Sequence, residues 1–200
     1  IHRLKPFKIN KTNKELADLM YPHVTKTIED YEKIFPKRKL KDGAMVSRYA
    51  PSPTGFVHMG NMLSCFIENI VPKRTGGKFY LRIEDTDQKR EVAGGIDNII
   101  SAMKTIGLSY DEGVISEEEE LGSYGPYIQS KRRDIYHAFA KYMIENDLAY
   151  PCFCEAEEIE EIRNIQKENK ERIGYYGEYA KCRNLTNDER AEKPRLNWRS

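Results

Sequence analysis

The residues with the clearest chemical potential lie between positions 48 and 61, where the sequence reads RYAPSPTGFVHMGN. Pro51 and Pro53 exclude a helix, so the sequence predicts an extended loop that leads into a helix near His58 and Gly60. Backbone N–H groups at a helix N-terminus point outward and the helix dipole is positive there, which suits a polyphosphate. Gly60 lets a phosphate or a flat ring approach the backbone, and His58 adds a donor. A His-x-Gly pair by itself is more often a surface histidine, so this interpretation depends on the rest of the sequence.

The elements around this loop have the pattern of a βαβ unit. In chain order we predict a strand over 45–50, a helix over 60–70, a turn at 76–77, a strand over 78–83 and a helix over 91–106. Strand, helix and strand within about 40 residues have the length of a parallel, right-handed crossover. Gly107 is placed to cap the last of these helices.

The regions on either side are more helical. We predict two short helices within 13–35, a basic connector over 37–43, a loop over 111–127, an amphipathic helix over 130–146, a strand over 149–153 and a charged helix over 156–173. The acidic run at 117–120 is interpreted as a solvated face without chemistry.

Composition excludes several classes of protein. Two hundred residues make one or two domains and are too many for a small disulfide scaffold. The mean hydropathy of −0.74 leaves no apolar run near the ~18 residues of a membrane span. Four cysteines and no secretion signal favour a soluble protein of the reducing cytoplasm. The net charge of +1 includes a basic segment, because residues 1–44 hold eleven Lys and Arg against six Asp and Glu.

Several blocks of sequence together resemble a known family, the class I aminoacyl-tRNA synthetases, and within them the glutamyl enzymes. The blocks are the stretch over 48–61, LRIEDTD over 81–87, DEG over 111–113, GPYIQS over 125–130 and AYPCFC over 149–154. His58-Met59-Gly60-Asn61 resembles the family's HIGH signature, with Asn61 in the last position. Glutaminyl relatives would be expected to read PEPN where this chain reads PSPT, so the glutamyl branch is preferred.

The resemblance implies a fold, an activity and a set of site residues. It implies that glutamate is activated by ATP with Mg²⁺ to glutamyl-adenylate and is then transferred to the 3′-terminal adenosine of tRNA(Glu). The implied catalytic residues are His58 and Gly60. The implied ATP-binding residues are Pro53, Thr54, His58, Gly60 and Asn61, and the implied glutamate-binding residues are Arg48, Ala50, Ser52 and Glu84.

The fold class that follows is α/β, with a Rossmann-like parallel sheet. The implied domains are a helical basic extension over 1–44, the first half of the catalytic domain over 45–127 and a truncated, inserted α+β acceptor-binding domain over 128–200. Asp85 and Asp87 are interpreted as turn and cap residues and Cys65 as core. Tyr127, Gln129 and Ser130 match a family loop that leads toward the acceptor-binding domain, and they are predicted as surface residues.

Cys152, Cys154 and Cys182 resemble the zinc site in the acceptor-binding insertion of some glutamyl enzymes. Closely spaced thiols in a cytoplasmic protein fit Zn²⁺ better than a disulfide. Asn184 stands where that family pattern can place a histidine, so Glu178, Tyr179 or a water are the alternatives for the fourth ligand. An inert cluster of reduced cysteines is the competing interpretation.

Two other functions stay open from the sequence. One is a glutamyl-queuosine tRNA(Asp) synthetase type of enzyme, and the other is a catalytically silent module that binds tRNA or a partner. Nothing in residues 113–200 resembles the family's lysine-rich second signature. From the resemblance we expect the anticodon-binding domain to be absent as well. We therefore expect a monomeric fragment that activates glutamate poorly, and the choice between tRNA(Glu) and tRNA(Gln) is expected to lie outside it.

Overall fold

The computed structural model describes residues 11–55, 57–87 and 89–193. Contacts group them into two compact units, one formed by Glu29–Tyr136 and the other by the residues up to Ile28 together with those from His137 onward. The domain boundaries after residues 44 and 127 stay predictions. The helices are α1 (Asn13–Met20), α2 (Ile28–Ile34), α3 (Met59–Thr75), α4 (Gly95–Thr105), α5 (Arg133–Glu145), α6 (Ala156–Glu168) and α7 (Asn187–Glu192), with 3₁₀ turns at Ser130–Arg132, Gly177–Tyr179 and Lys181–Asn184.

A four-stranded sheet organises the unit Glu29–Tyr136. Its strands are β1 (Val46–Tyr49), β2 (Lys78–Leu81), β3 (Glu112–Val114) and β4 (Glu120–Leu121), and they lie in the order β1-β2-β3-β4. The first three strands are parallel and β4 is antiparallel to β3. Helix α3 connects β1 to β2 and α4 connects β2 to β3, so the predicted α/β fold is confirmed.

The core of this unit forms around β2, because its alternate residues Phe79 and Leu81 are buried. Apolar residues from α3 and α4 complete the core. They are Met62 and Cys65 from α3 and Ile96, Ile99, Ile100 and Met103 from α4. The sheet therefore carries both helices on an apolar surface, and its carboxyl ends are left to position the loops that follow β1 and β2.

The second unit is helical in its described residues. Thr12 and Glu15 form a reciprocal capping box at the start of α1. Leu16, Ala17 and Tyr21 pack with Ile144 of α5 in a small apolar cluster. No helix among the described residues of either unit combines the length and the apolar composition needed to cross a bilayer.

Four predicted elements are wrong or misplaced. The predicted loop over 111–127 contains β3 and β4, whose short, glycine-containing and acidic sequence lacks a period of two. The predicted strand over 149–153 is absent, because the Phe153 N–H donates to Cys182 Sγ rather than to a ladder. The helix predicted from 91 begins at Gly95, since Gly94 has a φ of 72°. The helix predicted to 173 ends at Glu168, two residues before Lys170 with a φ of 57°.

Candidate functional site

The loop between β1 and α3 is held by main-chain hydrogen bonds. The Glu84 N–H donates to the Pro51 carbonyl at 2.9 Å, and the Val92 N–H donates to the Pro53 carbonyl at 2.9 Å. Gly95 lies against the same loop, since a Cβ at Gly95 would lie 2.8 Å from Pro53 Cβ and 2.9 Å from its carbonyl oxygen. The proline-rich loop is therefore fixed on one side by the residues after β2 and on the other by the start of α4.

Helix α3 begins directly after this loop, as the sequence predicts. His58 is the N-cap residue with extended backbone (φ −109°), and its N–H donates to Asn61 Oδ1 at 3.2 Å. A Cβ at Gly60 would lie 3.1 Å from the His58 ring, so a larger residue would displace the imidazole. The Asn61 and Met62 N–H groups donate to the His58 carbonyl, at 3.0 and 3.3 Å. The N–H groups of Met59 and Gly60 precede them at the start of α3, and this end of a helix suits an anion.

A cavity of about 590 Å³ opens between β1, this loop and α3. Its lining includes six of the nine residues that the resemblance assigns to ATP and glutamate, namely Arg48, Ala50, Ser52, Thr54, His58 and Asn61. The other three, Pro53, Gly60 and Glu84, are close to residues that line the cavity, either in the chain or in space. Pro53 is buried against Gly95, Gly60 is beside the His58 ring, and Glu84 forms an ion pair with Arg48.

Opposite charges face each other at the carboxyl ends of β1 and β2. Arg48 NH1 lies 3.6 Å from Glu84 Oε1, and Arg82 NH2 donates to the same oxygen at 3.0 Å. Arg82 is mostly buried, so its guanidinium fixes the Glu84 carboxylate from below the surface. The partly exposed members of this arrangement are one cation, Arg48, and one anion, Glu84. An amino acid with an acidic side chain needs both, a cation for its side-chain carboxylate and an anion for its ammonium group.

Sequence reasoning missed part of the cavity wall. Tyr49, Ser64 and Glu68 also line the cavity. Burial raises the pKa of the Glu68 carboxyl, and the Arg48 charge opposes this rise. Burial, followed by the nearby Cys65 and Glu68, raises the pKa of Tyr49 to about 12. Ser64 and Glu68 are one helical turn apart and lie on the same face of α3. The helical spacing of these two residues was the sequence signal that could have identified them.

Asp85 and Ser130 tie the residues after β2 to a later segment. Asp85 accepts hydrogen bonds from Ser130 N–H at 2.8 Å and from its hydroxyl. The Ile83 N–H donates to the Tyr127 carbonyl, and the Gln129 N–H donates to the Ile83 carbonyl, both at 2.9 Å. Residues 127–129 therefore run beside Ile83, and Ser130 is bonded to Asp85, so the two chain neighbours of Glu84 are both anchored. The interpretation of Asp85 as structural agrees with this geometry.

Tyr127 is a correction to the predicted surface. It is 1% exposed, because its hydroxyl donates to Glu112 Oε2 at 2.7 Å and accepts from the Tyr124 N–H at 3.0 Å. Glu112 itself is buried in β3 and forms a bidentate pair with Arg38. The tyrosine therefore belongs to a buried polar network, and only Gln129 and Ser130 keep partly or fully exposed side chains.

The three predicted cysteines do converge. The Sγ atoms of Cys152, Cys154 and Cys182 all lie within 4.8 Å of one another, and Cys154 Sγ lies 3.7 Å from Cys182 Sγ. Thiolates around a tetrahedral Zn²⁺, with Zn–S bonds of about 2.3 Å, are separated by about 3.8 Å. The observed spacing therefore fits a zinc ligand set.

The polar group beside the thiols is Tyr175, which sequence reasoning did not select. Its hydroxyl lies 3.2 Å from Cys154 Sγ and accepts from the Cys182 N–H at 3.3 Å. Tyr179 points elsewhere, since its hydroxyl donates to Glu171 Oε2 at 2.8 Å. Burial raises the pKa of the Cys154 thiol to about 11. Burial also raises that of Cys182, but hydrogen bonds led by the Phe153 N–H outweigh it and the pKa of Cys182 is lowered.

Comparison with known proteins identifies the family of the chain. The family model for class I tRNA synthetases (E and Q), catalytic domain, matches residues 44–196. The chain is 51% identical over 174 residues to a glutamate–tRNA ligase of Clostridium perfringens, covering 87% of this chain and 32% of that protein. It is 49% identical over 177 residues to a glutamate–tRNA ligase of Acetivibrio thermocellus, with 88% and 32% covered.

A solved structure shows the same similarity in three dimensions. The crystal structure of a glutamate tRNA ligase from Elizabethkingia meningosepticum, in complex with its amino acid, matches with a TM-score of 0.58 and 36% identity. The match covers 69% of this chain and 26% of that one. The chain spans about a third of the length of the curated relatives that it matches. Because this family model matches residues 44–196, the chain belongs to the class I tRNA synthetases (E and Q), and the matched residues are part of their catalytic domain.

Proposed function

We propose that this chain supplies the glutamate- and ATP-binding part of a glutamate–tRNA ligase. That enzyme would ligate L-glutamate to the 3′ end of tRNA(Glu) through a glutamyl-adenylate. The observation that carries the proposal is the single cavity that brings Arg48, Ser52 and His58 together, with Glu84 paired to Arg48 at its rim. The amino acid and the phosphates would then meet in one place.

The charged pair selects glutamate in this proposal. Arg48 pairs with the side-chain carboxylate and Glu84 with the ammonium group, while Ala50 and Ser52 line the wall between them. A planar guanidinium can pair with a carboxylate through two parallel hydrogen bonds, which a lysine cannot do. Each charged group of the substrate then has a partner, because an unpaired charge in a partly buried pocket costs several kcal/mol. Glutamine would leave the Arg48 charge without its counterpart.

The start of α3 binds the nucleotide in this proposal. The reaction adds negative charge around the α-phosphorus, so fixed donors are more useful there than an acid or a base. The His58 ring and the N–H groups near Gly60 supply those donors, with Pro53, Thr54 and Asn61 around them. Mg²⁺, when bound, would neutralise phosphate charge. The loop is already anchored by Glu84 and Val92, so its donors need little rearrangement to bind.

Zn²⁺ fits the thiol cluster, and we propose it as a structural metal. Cys152, Cys154 and Cys182 would hold it, and the Tyr175 hydroxyl lies 3.2 Å from Cys154 Sγ. A bound Zn²⁺ would contribute folding free energy to the segments that carry the thiols and has no role in the chemical steps. The partners we propose are L-glutamate, ATP and tRNA(Glu), for a monomeric enzyme of the cytoplasm.

Calorimetry with a non-hydrolysable glutamyl-adenylate analogue tests this function directly, with and without tRNA(Glu). We expect binding by the chain, weaker binding of the glutaminyl analogue, and at least about 30-fold loss in Arg48→Lys and Glu84→Gln. Arg74→Ala, at the exposed end of α3, is the matched control and should bind like the unsubstituted chain. Equal affinity for the two analogues would refute the assignment of Arg48, and tRNA binding without analogue binding would favour the silent module.

A further inference from the structure

Glu68 is a second carboxylate in the wall of the cavity that holds Arg48. It lies in the third turn of α3 and lines the cavity together with Arg48, Tyr49 and Ser64. The Ser47 hydroxyl donates to the Glu68 carbonyl, so this turn of the helix is attached to β1. The backbone of Glu68 is therefore fixed, and its side chain is held on the same cavity wall as Arg48.

One oxygen of this carboxylate is buried without a donor. Glu68 Oε2 has no hydrogen-bond partner among the described residues, and the same holds for the buried Tyr49 hydroxyl. Burial raises the pKa of the Glu68 carboxyl, and the Arg48 charge opposes this rise. A buried carboxylate that accepts no hydrogen bond is ionised only at a cost in free energy. The charge on Glu68 therefore depends on Arg48.

The charged and titratable groups around Glu68 come from β1, from the N-cap of α3 and from the preceding turn of this helix. They are Arg48 and Tyr49 on β1, His58 at the N-cap and Cys65 in the preceding turn, while α4 contributes the apolar Ile99. Burial raises the pKa of Tyr49 and that of Cys65 to about 12. Both groups are therefore neutral near neutral pH, and neither competes with Glu68 for a proton there.

Arg48 would face three carboxylates when glutamate binds. Its guanidinium lies 3.6 Å from Glu84, and its charge also acts on Glu68. In the proposed function the glutamate side chain adds a third carboxylate. Like charges close together disfavour ionisation, and a desolvated carboxylate without donors is the first to take up a proton. Glu84 accepts a hydrogen bond from Arg82 and would also face the ligand ammonium, so Glu68 is the one that changes.

We propose that Glu68 is a positioning residue that serves as a counter-charge for Arg48 in the empty cavity and takes up a proton when the glutamate side chain replaces it. The proton comes from solvent and stays on the Glu68 carboxyl, and no bond of the ligand is made or broken. Lower pH then favours binding, because the complex holds a proton that the free chain lacks. The inference rests on the proposed function and adds a proton-linked residue to the same cavity.

Calorimetry in buffers with different heats of ionisation measures this proton directly. The ligand is the glutamyl-adenylate analogue, and the samples are the unsubstituted chain, Glu68→Gln and Glu32→Gln, the last a matched control at an exposed position of α2. At about pH 7 the unsubstituted chain and Glu32→Gln should take up at least about 0.3 proton per ligand more than Glu68→Gln. Uptake by His58 or by the analogue is common to all samples and cancels in this difference.

The pH dependence of the affinity is a second readout of the same proton. The affinity of Glu68→Gln, relative to that of the unsubstituted chain, should rise about four-fold between about pH 6 and pH 8. A purely structural role for Glu68 would change the affinity by the same factor at every pH. Thermal melting should show that Glu68→Gln is at least as stable as the unsubstituted chain, because a neutral amide is buried at a lower cost than a carboxylate.

Carbon-13 NMR of the side-chain carboxyl groups tests the link between Glu68 and Arg48 without a ligand. The Glu68 signal is assigned by its loss in Glu68→Gln. We expect the pKa of Glu68 to lie above the usual 4.5 and to be higher still in Arg48→Met, because the favourable charge is then removed. Equal pKa values in the two proteins would overturn the proposal, and so would a Glu68 that is already protonated at neutral pH in the free chain.

The calorimetric outcomes separate this inference from the proposed function. Analogue binding with equal proton uptake by the unsubstituted chain and Glu68→Gln would overturn the inference and leave the proposed function standing. An affinity ratio that stays constant with pH would have the same meaning. If no sample binds the analogue, the proposed function is refuted, and the role of Glu68 in glutamate binding is refuted with it.

Discussion

Substituting the buried ion pair between Arg38 and Glu112 is the most direct test of what stabilises the unit Glu29–Tyr136. Arg38 donates through both terminal nitrogens to the Glu112 carboxylate, with one contact at 2.7 Å, and its guanidinium stacks 3.7 Å above the Tyr124 ring. The side chains are 18% and 12% exposed, so solvent screens them little. Arg38→Met would leave Glu112 as a buried carboxylate whose remaining partner is the Tyr127 hydroxyl.

We expect Arg38→Met to lower the free energy of unfolding by about 3 kcal/mol, at the lower end of the range for breaking a buried ion pair. Arg38→Met combined with Glu112→Leu should recover most of that loss, because the stranded charge is then removed as well. Urea unfolding followed by circular dichroism and tyrosine fluorescence measures both values. Arg90→Met is the control, since its pair with Asp87 is exposed and the substitution should leave the free energy of unfolding almost unchanged.

Two results would refute this reasoning. A loss below about 1 kcal/mol in Arg38→Met would mean that Glu112 is solvated as well as a surface carboxylate, in spite of its burial. A double variant that is less stable than Arg38→Met alone would mean that Glu112 still stabilises the unit without Arg38, contrary to the argument that its unpaired charge causes the loss.

Three further predictions follow from the same structure. The hydrogen bond from Arg38 holds the pKa of Glu112 below its usual value of 4.5. The Glu112 carboxylate therefore stabilises the fold above about pH 4.5, and this contribution is lost as the pH falls further. When the free energy of unfolding is measured against pH, its decrease in acid should be shallower in Arg38→Met than in the unsubstituted chain. Gly95→Ala should destabilise the unit by about 1–3 kcal/mol and shift the loop at Pro53, measured by urea unfolding and by exchange of the Val92 amide; unchanged values for both would show that the close approach is not rigid. Cys154→Ser should reduce the zinc content from one equivalent per chain, measured by mass spectrometry after dialysis, and zinc-free unsubstituted protein would contradict the metal site.

The sequence predicted the local parts of the site well. The prolines after β1, the helix start at His58 and the convergence of three cysteines all depend on short-range geometry or on a recognised order of motifs, and the structure places them as expected. Arg48 and Glu84 are far apart in sequence, but Arg48 lies near the end of β1 and Glu84 follows the neighbouring parallel strand β2, so the strand order brings them together.

The parts that were missed depend on contacts between distant segments. Glu112 looks like a loop residue in the sequence, and only Arg38 and Tyr127 make a buried strand position possible for it. Tyr175 is one of several tyrosines near the third cysteine, and its choice over Tyr179 follows from where the 3₁₀ turns place the two rings. Such partners leave no periodic pattern, so sequence spacing cannot identify them.

The hydrogen bonds that flank Glu84 also set an order of events during synthesis. Ile83 is paired with residues 127–129 and Asp85 with Ser130, about 45 residues later in the chain. A ribosome adds residues at about 5–20 per second, so β1, α3 and β2 leave it seconds before those partners do. The nascent chain can form the end of the cavity at the start of α3 in that interval, and Glu84 acquires its final position only when residue 130 has emerged.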